Sequence, residues 1–291
     1  MARRYTKKKP RGPKRSRYGR RSGAKTRRSR TSPKRTRKNI LNITSVKKKD
    51  TMVPAETDDF GVTWNVNSKN IVPEAGSSGE PRVFFWPATA RTNISSTGTP
   101  AAAKRERQNC FMVGLKEEVH FEINTGVPWE WRQIVFTAKG LANLPFVDGY
   151  VAFSAESSGY MRGLREMDES AQVVLFNHLF KGAAGVDWIG LMNAPVDRGR
   201  FTILRDRTRQ LKSGNSDGML RRYSDWLPMR KGLLYADEEV GPEQSGSRWS
   251  TMSKQGMGDV FIVDIFRTTV SADAADLLNW RPNATLHWHE R

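Results

Sequence analysis

Leu115-Lys116-Glu117-Glu118-Val119-His120-Phe121-Glu122-Ile123 is the stretch that decides the fold class. Leu115, Val119, Phe121 and Ile123 alternate with Lys116, Glu118, His120 and Glu122, and a period of two puts the apolar set on one face of a strand and the polar set on the other. The segment reads as a half-buried β-strand. Residues 129–137, 147–153, 201–204, 232–235 and 259–268 have a similar character, being rich in β-branched and aromatic residues and bounded by turn formers. Residues 40–46, 60–66, 82–86 and 286–289 are weaker strand candidates. Helical periodicity is scarce: residues 161–180 can hold a turn or two, and residues 272–278 another.

Segments 87–108, 154–168 and 205–223 read as long excursions, too long for a plain hairpin meander. The expected architecture is all-β: an eight-stranded antiparallel jelly-roll sandwich with long loops, spanning residues 39–291, behind a disordered basic N-terminal arm, residues 1–38.

Charge divides the chain a little further on, at Asp50. Residues 1–49 hold 22 of the 49 Lys and Arg and no acid, which leaves 27 basic against 30 acidic residues in the remainder. A near-neutral body thus follows a cationic arm. With half of its first 38 residues basic and only Tyr5 and Tyr18 aromatic, the arm cannot bury enough apolar area to offset its chain entropy. Like charges without acidic partners call for a polyanion, whose bound counterions are released when Lys and Arg replace them.

Nucleic acid fits this better than an anionic membrane, because the arm lacks the interleaved Trp, Phe or Leu that membrane binding prefers. The expected nucleic-acid-binding residues are Arg3, Arg4, Lys7, Lys8, Lys9, Arg11, Lys14, Arg15, Arg17, Arg20, Arg21, Arg27, Arg28, Arg30, Arg35, Arg37 and Lys38. Their phosphate contacts position without specifying a sequence. Three clusters, Lys7-Lys8-Lys9-Pro10-Arg11, Arg35-Thr36-Arg37-Lys38 and Lys47-Lys48-Lys49, also suit a nuclear localisation signal read by host import receptors, the first two above all.

Several classes are excluded or disfavoured. A lone Cys110 makes no intrachain disulfide and no Cys-rich metal site. No apolar run reaches membrane-helix length and no apolar region backs the charged N-terminus, so the expectation is a protein without membrane insertion, soluble and intracellular when made. The sequons at Asn42, Asn93 and Asn283 then have no route to glycosylation.

Gly214-Asn215-Ser216-Asp217-Gly218 matches a nucleophile elbow literally, but it lacks the buried strand before it and the helix after it, and reads as a polar turn. His287-Trp288-His289 puts two imidazoles on one strand face, as in His-hydrophobe-His nicking endonucleases. Only Glu290 and Arg291 follow, with no catalytic Tyr, so a terminal strand with Trp288 inward is preferred. There is no Walker A loop and no His-Glu-x-x-His. No enzymatic role, cofactor or metal is expected.

The opening Met-Ala-Arg-Arg-Tyr, the segment from Lys38 to Asp50, Ala90-Arg91-Thr92-Asn93-Ile94, Leu179-Phe180-Lys181-Gly182, Asp187-Trp188, the segment from Phe201 to Thr208, Ser213-Gly214-Asn215 and the segment from Gly258 to Phe266 together resemble capsid proteins of small circular single-stranded DNA viruses, the genomoviruses (gemycircularviruses) in particular. The resemblance runs nearly the whole length, through soft structural motifs in a specific order. It implies a jelly-roll coat subunit, sixty copies of which close into a T=1 icosahedral virion around circular single-stranded DNA, with the arm inward, made in a host cell and directed to its nucleus. Sixty such arms carry on the order of 1,300 positive charges, the scale of a strand of roughly one to three thousand phosphates. The Cys/His cluster of the more distant geminivirus capsid proteins is not reproduced, and no metal is carried over.

In the body, Arg205, Arg207 and Arg209, with Arg198 and Arg200 nearby, are candidate inner-surface DNA contacts beside Tyr223 and Trp226. Pairing with Asp197, Asp206 and Asp225 at subunit contacts is the competing role. Nine Trp serve either as core or as interface anchors. A monomeric basic-tailed nucleic-acid-binding protein of chromatin or ribosomal type is the alternative to a coat protein.

Overall fold

The computed structural model describes residues 37–57, 63–73, 79–93, 102–154, 159–241 and 243–290. The chain is all-β in class. Its long strands are β1 (Val46–Met52), β2 (Arg82–Pro87), β3 (Asn109–Ile123), β4 (Trp129–Ala138), β5 (Thr202–Leu211), β6 (Met219–Leu234), β7 (Asp259–Thr268) and β8 (Leu278–Glu290). One sheet runs β1-β8-β3-β6, with the short strand Lys69–Ile71 added to β8, and the other runs β5-β4-β7-β2. Every pairing within these two sheets is antiparallel.

Burial explains why the two sheets differ in sequence. In β3, Leu115, Val119, Phe121 and Ile123 are buried while Lys116, His120 and Glu122 are exposed, so one face of the first sheet looks to solvent. In β7, Val260-Phe261-Ile262-Val263-Asp264-Ile265-Phe266 is buried throughout. Its Val260, Ile262 and Phe266 pack between the sheets with Trp86, Leu115, Phe121, Trp131, Leu286 and Trp288. Phe261, Val263 and Ile265 point the other way, under helix α2 (Glu169–Leu179) through Leu175, Phe176 and Leu179. A strand covered on both faces has no reason to alternate. The helix begins where Asp168 Oδ1 accepts the Ala171 amide at 2.8 Å. Five tryptophans, Trp86, Trp129, Trp131, Trp280 and Trp288, are buried in the interior.

Four expectations are corrected. Residues 40–46 are not a strand: Arg37–Thr44 forms helix α1 and β1 begins at Val46, its lysine run tolerated because buried Lys48 pairs with Glu106 at 3.0 Å and Asp50 with Arg91 at 3.1 Å. Val147–Tyr150 is a 3-10 turn packed beneath Phe85, not a strand. Residues 272–277 form turns held by Asp273 and Asp276 rather than a helix, and Leu278 opens β8. The supposed excursion 205–223 is mostly strand, with only the turn from Lys212 to Gly218 between β5 and β6. Edge strands carry charge because only one flank is paired, and both β5 and β6 are edges. Gly218, at φ +89, lies against the Ile123 carbonyl, a position without room for a Cβ.

Between the sheets sits a charged cluster that periodicity alone does not announce. Arg162 is fully buried, its guanidinium 4.4 Å from the Trp86 ring centroid and 5.3 Å from that of Trp280, and Nη2 donates to Asp264 Oδ2. Asp264 Oδ1 accepts from Trp131 Nε1 at 2.8 Å and from Gln133 Nε2 at 3.0 Å. Glu117, on the inward face of β3, has no hydrogen-bond partner for either carboxylate oxygen, and its nearest cations, Arg162 Nε and Arg205 Nη1, stand 3.8 Å away.

Burial pushes the Glu117 carboxyl up to about 7, with Arg162 pulling the other way. Burial likewise raises Asp259 to about 6, against the hydrogen bonds from Ser250. A carboxyl with a raised folded-state pKa binds more protons folded than unfolded, so stability falls as pH rises between the unfolded value and the folded one. These two carboxyls are therefore expected to remove stability as pH rises from about 5 to about 7. Glu117→Gln should flatten that loss and be the more stable form at pH 8, as read by chemical denaturation at that pH and at about pH 5.

Candidate nucleic-acid interface

The arm residues Arg3 through Arg35, including the cluster Lys7-Lys8-Lys9-Pro10-Arg11, lie outside the described residues, and Arg37 and Lys38 open helix α1. The remaining candidate contacts belong to the body.

Arg205, Arg207 and Arg209 recur at every second position of β5 and share one side of it. They reach across the open flank of the sandwich to β6. Arg209 Nη2 donates to both oxygens of Asp225 at 2.9 and 2.7 Å, and its guanidinium lies 4.3 Å from the Tyr223 ring centroid and 5.1 Å from that of Trp131. Arg205 Nη1 donates to Gln133 Oε1 at 2.7 Å and stands 3.4 Å from Asp225. Arg207 stands 3.9 Å from Asp225 with 58% of its side chain exposed, against 13% for Arg205 and 10% for Arg209. The row thus closes the gap between the two edge strands, and Arg207 is the member open to an outside anion. The other aspartates also find partners within the chain: Asp206 pairs with Arg132 at 2.9 Å and Asp197 with Arg200 at 3.2 Å.

The solvent face of the first sheet was less legible from sequence. Strand register sets Lys47 beside His289, Lys49 beside His287 and Thr51 beside Thr285. It sets Lys116 beside Thr285 and Trp226, and His120 beside Arg281 and Arg222. Three of the four histidines therefore share one face with Lys47, Lys49, Lys116, Arg222 and Arg281. Its acids are Glu118, paired with Lys116 at 2.6 Å and Arg222 at 3.3 Å, and Glu122, paired with Arg281 at 3.3 Å. Lys47 and Lys49 are exposed and have no carboxylate partner among the described residues.

Aromatic rings interleave with these charges: Phe111 faces His289 at 6.2 Å and Trp226 faces His287 at 5.6 Å between centroids. Burial, then the charges of Lys49 and Lys116, lower the His287 pKa and favour a neutral ring. Those same lysines oppose a metal cation at His287. Trp288 lies inward at 1% exposure, as strand alternation predicts. The signal for this face was present in the sequence as Lys47, Lys49 and alternate residues of 281–289, but recognising it needs the register that joins four separated strands.

Other candidate chemistry finds ordinary roles. Ser213 Oγ and the Asn215 side chain knit the Gly214–Gly218 turn. Burial pushes the Cys110 thiol up to about 12 and Glu290 adds to the effect, which leaves it protonated. No helix among the described residues is long and apolar enough to cross a membrane. Compared with known proteins, the chain matches no family model and no curated relative.

Two substitutions separate the roles within the arginine row. Arg209→Ala should cost about 1–3 kcal/mol of stability, since it takes the closest cation from Asp225, leaving only the longer contacts of Arg205 and Arg207, and removes two cation–ring contacts. Arg207→Ala should change stability by less than about 0.5 kcal/mol. If Arg207 contacts phosphate, its loss should also lower the salt dependence of single-stranded DNA binding by about one charge. Denaturant midpoints and salt titrations of binding read both.

Proposed function

We propose that the protein is a viral coat subunit that self-assembles into a T=1 icosahedral shell of sixty copies and packages circular single-stranded DNA through its basic arm. The observation that carries this reading is the segregation of charge: 22 basic residues and no acid in residues 1–49, ahead of a body with 27 basic and 30 acidic residues. A polyanion is needed by the arm and not by the body, which is left free to contact its own copies.

We read the strand orders β1-β8-β3-β6 and β2-β7-β4-β5 as an eight-stranded jelly roll, a fold whose connections pass between the two sheets. The loops between strands would then make the subunit contacts, and Val186 and Ile189, 83% and 94% exposed beyond α2, are suited to such contacts. The solvent face of the first sheet, with Lys47 and Lys49 on the strand that continues from the arm, would line the interior. The arm's basic clusters would engage host nuclear import receptors before assembly, giving a protein found in the host nucleus and in the virion. Its role is structural rather than enzymatic.

Electron microscopy of nuclease-treated, size-fractionated full-length protein tests the proposal. Uniform closed shells containing protected single-stranded DNA are expected, and removal of residues 1–38 should leave shells that protect little or none. Monomers, dimers or irregular nucleoprotein at every salt and pH tried, with and without single-stranded DNA, would instead favour a monomeric basic-tailed nucleic-acid-binding module of chromatin or ribosomal type.

A further inference from the structure

Trp226 is the one tryptophan that the described structure leaves largely open, at 46% exposure, and it stands among cations rather than in an apolar patch. Register places it opposite Lys116, yet its ring leans across Gly114, where an added Cβ would come within 2.5 Å of the indole Cζ2 and 2.6 Å of the Leu227 carbonyl. A glycine inside a long strand costs stability, and here it makes the space in which the indole lies. His287, in register with Gly114, meets the ring at 63° with centroids 5.6 Å apart. Lys49 pairs in register with His287, and Lys116 with Trp226.

The indole is thus supported from below by backbone and from one side by imidazole, with part of its surface free. An aromatic face held in this way loses little freedom on binding. A second copy of the same surface is a poor occupant, since Lys47, Lys49 and Lys116 would meet their own kind. A polyanion offering flat apolar rings is complementary in both charge and shape. Duplex DNA hides its rings in the stack, whereas an unpaired strand presents them.

We propose that Trp226 and His287, flanked by Lys49 and Lys116, form a base-stacking site for single-stranded DNA on the solvent face of the first sheet. The site is indifferent to sequence, because every base has a π-face, and Lys49 takes an adjoining phosphate while Lys116, paired with Glu118, adds to the positive field. It rests on the nucleic-acid reading of the preceding section and adds to the arm's charge contacts a contact that depends on unpaired bases.

The test is tryptophan fluorescence of unassembled full-length protein titrated with oligo-dT at elevated salt, where the arm's contribution is weakened. Wild type should be quenched by oligo-dT and much less by a duplex of equal charge. Trp226→Leu should abolish most of the quench and weaken oligo-dT binding roughly tenfold or more. Lys49→Gln should keep the quench at saturation and reduce the salt dependence. A quench that persists in Trp226→Leu, an equal response to duplex, or a stronger response to oligo-rU than to oligo-dT would overturn the site. Shell formation, read separately by microscopy of the same proteins, distinguishes the two failures: a lost stacking site leaves shells standing, and absent shells leave the titration interpretable.

Discussion

Asp264 is the group on which the interior depends. It sits on β7, the strand buried on both faces, and a carboxylate at that depth is sustained only by full compensation. The compensation comes from three directions: Arg162 from the segment before α2, and Trp131 and Gln133 from β4. Arg162 is in turn held between Trp86 of the second sheet and Trp280 of the first. One ion pair therefore fixes the segment carrying Gly159–Tyr160 and Arg162–Gly163 to both sheets. Such a pair contributes little net stability over well-packed apolar residues, but loss of one partner leaves a buried charge alone, at a cost of about 3–5 kcal/mol. Its value lies in specifying one arrangement of a long connection. Glu117 is the incomplete member of the cluster, near two arginines yet bonded to neither, and this makes it the group whose ionisation the fold resists.

The second constraint is the asymmetry of the two sheets. The sheet β5-β4-β7-β2 has α2 and the turns around Leu141 and Tyr150 packed over much of its outer face, through Phe136, Phe261 and Val263. The sheet β1-β8-β3-β6 presents a face that no described helix covers, and the cations, three histidines and open indole gather there. In an antiparallel sheet each exposed position has cross-strand neighbours about 5 Å away, so residues far apart in sequence become one surface. Lys49, Gly114, Trp226 and His287 meet in this way. The arginine row of β5, by contrast, turns toward β6, where Asp225 and Tyr223 receive it, and serves the fold first.

The same physics sets what could be read from sequence. Alternation at Leu115–Ile123 and the continuous apolar run of β7 announce strands because burial leaves a direct imprint on composition. Lys47–Lys49 and Arg205–Arg209 escape recognition as strand because edge positions and long-range ion pairs remove the usual apolar signature. Val147–Tyr150 looks like a strand because a 3-10 turn over a buried face needs the same side chains. Glu117 follows the inward alternation of its own strand, but its significance depends on Arg162 and Arg205, which no local window contains. Of the candidate site, Arg205, Arg207 and Arg209 were visible as a basic run. Trp226 was visible only as an aromatic nearby, since its exposure depends on Gly114 of another strand.

The segregation of charge connects these features to assembly. If the arm's cations were spread over the body, copies of one chain would repel wherever they met, and a shell would have to overcome that repulsion at every contact. With the body near neutrality, contact between copies carries little electrostatic cost, while the arm's repulsion is removed only when phosphate is present. Assembly and packaging are then coupled in the proposed shell: arms crowded at its interior oppose closure of an empty particle and favour closure of a filled one. The solvent face of the first sheet extends this logic, because Lys47 and Lys49, without a carboxylate partner among the described residues, continue the arm's charge onto strand β1. The arm's charge neutralises a strand, and in the proposed shell the aromatic surface of the first sheet gives part of that strand a defined place.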